Sequence, residues 1–318
     1  MSGISRRRFL AASVAGCAAT TLAGSKNALA AGSFSGYPDG MGVLVDLTRC
    51  IGCRSCEAAC NKEQNLPAPD KPFDDKSVFD ETFHGGTQKR RPDENAYTVV
   101  NRYDTESAGK EVYRKVQCNH CAEPACLSSC FVNAYTKTPE GAVVYNSKVC
   151  VGCRNCMVAC PFNIPGYSYS SAFDPVVKKC IFCHETRLKK GLPPACVEIC
   201  PQEALTFGKR KDLIKIGHQR IQTHPGRYVN HLYGEKELGG THWMYLSSVP
   251  FEEVGFDPNP GNEPIINNVK DFLSTVPMVL AIWPAMFTGF HLLAKKKDGH
   301  GDHEHDVEEH HDEEGGAQ

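Results

Sequence analysis

The chain has 318 residues, with 35 Lys and Arg against 37 Asp and Glu, a net charge of −2. That length is ample for a buried core, and the balanced charge excludes the global basic field of a nucleic-acid-binding protein. The outlying number is 17 cysteines: sixteen fall into four groups of four, and only Cys17 is left over.

The N-terminus reads Ser5-Arg6-Arg7-Arg8-Phe9-Leu10, then a weakly apolar Ala/Gly-rich run to about Ala23, then Ala28-Leu29-Ala30. A positive start, an apolar middle and an A-x-A end make residues 1–30 a secretory signal peptide, and the arginine pair makes it the twin-arginine kind. The alternative is an N-terminal anchoring helix, for which the run is short and rich in Ala and Gly. Val14-Ala15-Gly16-Cys17 has the look of a lipoprotein cleavage box, but it leaves only Phe9–Val14 as an apolar core, so cleavage after Ala30 is preferred. Twin-arginine export carries folded proteins, which suits a cofactor inserted before the membrane is crossed.

The first cysteine group is Cys50, Cys53, Cys56 and Cys60; the second is Cys118, Cys121, Cys126 and Cys130. The third is Cys150, Cys153, Cys156 and Cys160 followed by Pro161, and the fourth is Cys180, Cys183, Cys196 and Cys200 followed by Pro201. The first and third match the bacterial ferredoxin run C-x2-C-x2-C-x3-C. A [4Fe–4S] cube needs one thiolate per iron. Three cysteines on a loop wrap one corner, and the fourth, on a short helix, reaches a second cluster. Four complete groups therefore predict four [4Fe–4S] clusters. Disulfides compete in an exported protein, but such frameworks belong mainly to small domains short of core. Zinc competes through its C-x2-C pairs, but zinc sites use two pairs, whereas each group here has a lone last cysteine.

Between the groups runs a repeating helix–hairpin rhythm. Ala134–Lys137 and Ala142–Tyr145 alternate around Pro139-Glu140-Gly141, which predicts a small hairpin. The expected fold class is α+β: duplicated ferredoxin-like modules over residues 31–208, held by clusters as much as by hydrophobes. Residues 61–117 are an insertion too long for a passive connector. Its first half is loop-like, and its second half has strand-like runs at Ala96–Tyr103 and Glu111–Cys118. It reads either as partner-contact surface or as decoration. In the fourth group the loop between Cys183 and Cys196 carries Arg187, Lys189 and Lys190, and is either a docking or potential-tuning surface or a solvated turn. Residues 209–270 form a C-terminal extension, with a helix expected over 209–223 and a strand over 241–249. No nucleophile–base pair, phosphate-cradling loop or paired carboxylates stand out, so no catalytic residue is assigned. His120, His184 and His218 are expected at the surface or at partner contacts, because the cysteines fill every iron.

Residues 271–294 are expected to cross a membrane. The run 272–294 has no Asp, Glu, Lys or Arg, and its 23 residues of helix would extend about 34 Å. Pro277 and Pro284 are tolerable in such a helix. Lys295-Lys296-Lys297 follows at once, so the positive-inside rule puts the C-terminus in the cytoplasm and the cysteine groups in the periplasm. The tail 295–318 carries five of the thirteen histidines among acidic residues, and is either a binder of stray divalent metal or a solvated tail.

The four groups, the exported start and the single C-terminal span resemble the four-cluster electron-transfer subunits of periplasm-facing bacterial oxidoreductases. The resemblance extends to "MGVLVDLTRCIGCRSCEAAC", "GLPPACVEICP", "HLYGEKELGGT" and "SSVPFEEV". It is nearest to the membrane-anchored subunit of hydrogenase-2-type uptake [NiFe] hydrogenases, and formate dehydrogenase beta subunits belong to the wider family. One departure is Phe131 after Cys130, where the family usually has Pro. The resemblance implies a pairing that spacing alone does not choose. One cluster takes Cys50, Cys53, Cys56 and Cys200, and a second takes Cys180, Cys183, Cys196 and Cys60. A third takes Cys118, Cys121, Cys126 and Cys160, and a fourth Cys150, Cys153, Cys156 and Cys130. It also implies the function: a non-catalytic wire carrying electrons from hydrogenase small and large catalytic subunits to a multi-span quinone-interacting membrane subunit, anchored in lipid. The same wire in a formate dehydrogenase or other molybdopterin oxidoreductase, or a non-conducting assembly or scaffold protein, are the alternatives.

Overall fold

The computed structural model describes residues 37, 39–81, 89–107, 109–169 and 176–298. The expected leader, Cys17 and the tail from residue 299 lie outside the described residues. The chain divides into two units, Met1–Ile266 and Asn267–Gln318.

At the centre of the first unit is a three-stranded sheet in the order β8-β1-β9. Strand β1 is Met41–Asp46, β8 is Leu205–Lys209 and β9 is Trp243–Leu246. β1 pairs antiparallel with β8, Val43 facing Phe207, and parallel with β9, Val43 facing Trp243. Successive side chains of a strand point to opposite faces, and here both faces are buried. Val43, Val45, Trp243 and Tyr245 face the core shared with the cysteine groups. Leu44, Met244 and Leu246 face Leu213 and Ile221 of α5 (Arg210–Thr223). The helix approaches closely because Gly217 has no Cβ; one there would lie 2.9 Å from Leu232. Lys209 and Trp243–Leu246, beyond residue 208, are thus built into the sheet of the cysteine-bearing unit.

The cysteine groups sit on short elements around this sheet. Helix α1 (Ser55–Glu63) carries Cys56 and Cys60. Strands β2 (Thr98–Thr105) and β3 (Lys110–Gln117) form an antiparallel hairpin, Thr98 facing Gln117. The ends of β2 fall two residues, and those of β3 one residue, from the expected runs. One-turn helices α2 (Ala125–Ser128), α3 (Asn155–Val158) and α4 (Ala195–Glu198) carry Cys126, Cys156 and Cys196. The hairpin expected after Cys130 is β4 (Tyr135–Lys137) with β5 (Val143–Tyr145), Tyr135 facing Tyr145. A second small pair, β6 (Gly166–Ser168) and β7 (Val176–Lys178), follows Cys160.

The insertion is more than surface. Val112, Arg114, Lys115 and Gln117 of β3 are all buried. Its loop half is tied to α1 by a buried charge cluster. Glu57 accepts from Arg54 at 3.0 Å and from Arg90 at 3.2 Å, and its other oxygen accepts the Val100 N–H at 2.6 Å. Arg54 also donates to the carbonyls of Pro72 and Asp75.

Helix α6 runs Ile265–Asp298, nearly all of it in the second unit, and contains Pro277 and Pro284. Thr275–Leu292 has a mean hydropathy of 1.4, long and apolar enough to cross a membrane, and none of that stretch is buried. Leu280, Trp283, Phe287 and Phe290 are exposed. An apolar surface of this extent is compatible with a membrane anchor.

Candidate metal centres

The four groups share one backbone device. The residue before the second cysteine has left-handed φ in each: Gly52 at 66°, His120 at 47°, Gly152 at 70° and Phe182 at 62°. This turn folds the backbone back over the first cysteine, so the N–H groups of Gly152 and Phe182 point at the Cys150 and Cys180 sulfurs, each at 3.4 Å. Gly52 is required twice over, since a Cβ would lie 2.3 Å from the Tyr113 ring. A second device follows the last cysteine of groups two, three and four. Asn133, Asn163 and Glu203 are left-handed, and their N–H groups donate to the carbonyls of Cys130, Cys160 and Cys200 at 3.1, 3.0 and 3.2 Å. Group one departs from this because α1 continues past Cys60 to Glu63.

Cysteines from different groups converge. Cys50, Cys53 and Cys56 line one cavity together with Cys200, beside Val45, Val100 and Lys115. Cys118, Cys121 and Cys126 line another together with Cys160, beside Val143, Ile164 and Lys179. In both, three cysteines of one group meet the last cysteine of another. Cys60 has Cys180, Cys196 and Cys183 as its thiol neighbours. Cys156 has Cys150 and Cys153 as its neighbours, and it shares an apolar cluster with Cys130. None of the sixteen is in a disulfide.

The donor set fits an iron–sulfur cube. Burial pushes the thiols of Cys50 and Cys183 up to about 11 and those of Cys126 and Cys180 up to about 12. Cys56, Cys60 and Cys121 are raised for the same reason. Buried thiols of this kind become thiolates when a cation replaces their protons, and a structural site is one place where that exchange also stabilises the fold. Among the described residues, no three His, Cys, Asp or Glu side chains converge closely enough to hold a single metal ion. The cysteines are instead spread around cavity walls.

Three buried lysines, which sequence reasoning passed over, stand among these thiols. Lys115 donates to Gln117 Oε1 at 3.0 Å and lies over the Trp243 ring at 4.5 Å. Burial alone would lower it, but the negative charge of Cys196, Cys56, Cys180 and Cys60 as thiolates outweighs burial and holds it above the usual lysine value. Lys179 donates to the carbonyls of Val143 at 2.6 Å and Cys180 at 3.0 Å. It too is raised against its burial, by Cys118, Cys126 and Cys180. Lys137 donates to the carbonyls of His120, Cys121 and Gly141, and burial pushes it down to about 7. The only signal in the sequence is that Lys115 and Lys179 fall within three residues of the first cysteine of a group.

Two of the three histidines are not at the surface. His120 is fully buried, accepts the Val143 N–H on Nδ1 at 2.9 Å and stacks on Phe182. His184 is buried between Glu185 at 3.1 Å and Glu140 at 3.3 Å, tying group four to the β4–β5 turn. His218 is partly exposed and pairs with Glu235. The basic loop of group four is largely neutralised, since Lys189 pairs with Glu185 and Arg187 with Glu198 and Glu63.

Short left-handed turns, one-turn helices and cysteine quartets drawn from paired groups define a ferredoxin-like 4Fe–4S protein. Residues 110–210 match the model of the 4Fe-4S dicluster domain. The chain is 52% identical to a protein of Nitratidesulfovibrio vulgaris over 92% of its own length and 78% of that protein's. It is 35% identical to the hydrogenase-2 operon protein HybA of Escherichia coli O157:H7, covering 79% of this chain and 83% of HybA. It is 32% identical to the nitrate-inducible formate dehydrogenase iron–sulfur subunit of Escherichia coli K12, covering 85% of this chain and 89% of that subunit. The chain therefore belongs to the family of iron–sulfur electron-transfer subunits that includes HybA and the formate dehydrogenase iron–sulfur subunits.

Proposed function

We propose that the sixteen cysteines hold four [4Fe–4S] clusters, paired as the resemblance implies, and that the chain carries electrons from a periplasmic uptake [NiFe] hydrogenase to a multi-span, quinone-reducing membrane subunit. The observation that carries this reading is the exchange of last cysteines. Cys200 joins Cys50, Cys53 and Cys56 around one cavity, and Cys160 joins Cys118, Cys121 and Cys126 around another. Such exchange places clusters in adjacent pairs, which is what a conductor needs. The clusters supply one-electron chemistry; the chain supplies spacing, burial and hydrogen bonds to sulfur that set potentials. Residues 1–30 act as the twin-arginine leader, 271–294 as the anchor and 295–318 as a cytoplasmic tail. The exposed apolar surface of α6 supports the anchor.

The second reading, the same wire in a formate dehydrogenase, is favoured by the identity to formate dehydrogenase subunits along most of their length. Affinity isolation of the full chain from native membranes decides between them. The expected result is about sixteen irons per chain, absorbance bleached by dithionite, and copurifying nickel. Molybdopterin in place of nickel selects the second reading. A colourless protein overturns both. Cys183→Ser tests conduction directly: if H2-dependent quinone reduction survives loss of a cluster in an assembled complex, the chain is a scaffold.

A further inference from the structure

The two cavities described above each have one buried ammonium in the wall. Lys115 lines the cavity of Cys50, Cys53, Cys56 and Cys200, and Lys179 lines that of Cys118, Cys121, Cys126 and Cys160. Both side chains are almost wholly removed from water, at 3% and 2% exposed. An ammonium has three N–H donors. Lys137 spends all three on carbonyls and is not part of either cavity wall. Lys179 spends two, and the third is left for its neighbour, the Cys118 thiol. Lys115 spends one on Gln117 and lies over the Trp243 ring, with Cys196, Cys56, Cys180 and Cys60 around it.

Their positions fall at successive junctions between quartets. Lys115 stands among Cys56 of one quartet and Cys196, Cys180 and Cys60 of the next. Lys179 stands among Cys118 and Cys126, and its ammonium bonds the carbonyl of Cys180. The quartet of Cys60, Cys180, Cys183 and Cys196 therefore faces both cations. In the fourth quartet, Cys156 has Tyr135, Cys150 and Cys153 about it. A buried cation in a low-dielectric site stabilises an added negative charge far more than a solvated one does.

We propose that Lys115 and Lys179 are potential-setting residues that make the quartet of Cys60, Cys180, Cys183 and Cys196 the easiest of the four to reduce. This rests on the cluster assignment proposed above. Each added electron, supplied by the titrant, makes a centre one unit more negative, and the two ammonium groups favour that change where they flank it.

The test is a dithionite potentiometric titration of the full-length holo-complex in detergent, followed by electron paramagnetic resonance, with iron counted in every sample. The signal of the flanked quartet is the one altered by Cys183→Ser. It is expected to appear first on reduction. In Lys115→Met and in Lys179→Met its reduced-to-oxidised ratio at fixed potential should fall at least tenfold, a shift of 59 mV for one electron. The signal altered by Cys153→Ser should stay in place, and Lys115→Arg should restore the parent value. Where a Met variant loses iron, Lys115→Gln and Lys179→Gln replace it. Full iron with unmoved potentials overturns the role of the lysines and leaves the cluster assignment standing. A parent protein without iron removes the cluster assignment itself.

Discussion

His120 and Phe182 stack with their ring centroids 4.9 Å apart and their planes 20° from parallel. Each is the residue before the second cysteine of its group, and each has left-handed φ. Groups one and three use glycine there. Groups two and four instead turn two rings toward one another, so the contact joins equivalent points of two repeats. Phe182 also packs on Trp243 at 5.8 Å, which connects the repeats to the central sheet.

Phe182→Ala should therefore loosen more than one loop. Removing a fully buried phenylalanine costs about 3–5 kcal/mol. The expected outcome is a lower denaturant midpoint for the cluster-loaded protein, with iron lost from group four on milder heating. A midpoint equal to the parent's would show that the stack carries no weight.

Glu57 pairs with two guanidinium groups in a site where it is only 4% exposed. Breaking a buried charge pair by removing one partner is strongly destabilising, by about 3–5 kcal/mol, because the other charge is left unbalanced. Glu57→Gln keeps the shape and one acceptor but removes the charge. The loop held by Arg54 through Pro72 and Asp75 should then become the first site of limited proteolysis. Unchanged cleavage kinetics between residues 64 and 81 would argue against this role.

His242 gives a pH dependence of definite sign. Its Nδ1–H donates to the Met41 carbonyl at 2.6 Å, and its buried Nε2 has no partner. Burial, with Lys137 and Arg210 adding to it, pushes it down to about 3 from the ordinary histidine value of 6.5. Above pH 6.5 the ring is neutral folded or unfolded and contributes no slope. As pH falls from 6.5 toward 3, the unfolded chain takes up a proton that the folded chain refuses. Stability then declines by about 1.4 kcal/mol per pH unit for this group. His120 is lowered as well, chiefly by burial, and adds a slope of the same sign. Urea midpoints measured at pH 7 and pH 5 should converge in His242→Asn by one proton's worth. An identical slope in parent and variant would place the acid sensitivity elsewhere.

How far the sequence reveals this structure follows from what each residue has to do. The cysteine groups are legible because iron chemistry dictates their spacing. The β4–β5 hairpin is legible because its alternation and its Pro-Glu-Gly turn are local. Strand β1 is harder: Met41–Asp46 is buried on both faces, so it has no alternation, and its parallel partner β9 lies near the other end of the unit. Lys115, Lys179 and His120 are polar residues with no local reason to be inside. Only the convergence of distant thiols and rings makes their burial favourable. The repeated left-handed turn is half visible, since Gly52 and Gly152 announce it while His120 and Phe182 do not.

The exchange of last cysteines can be tested one ligand at a time. Cys50 and Cys200 belong to different groups yet line one cavity, whereas Cys50 and Cys60 belong to one group and do not share it. Serine in place of a ligand changes the donor of one iron and so the spectrum of one cluster. Cys50→Ser and Cys200→Ser should perturb the same paramagnetic signal, and Cys60→Ser should perturb the one changed by Cys183→Ser. The corresponding pair in the other half is Cys118→Ser with Cys160→Ser, which share the second cavity. Iron content is read alongside, so that loss of a whole cluster is distinguished from a change of ligand. If Cys50→Ser and Cys60→Ser alter one signal and Cys200→Ser another, each group closes its own cube and the exchange is wrong.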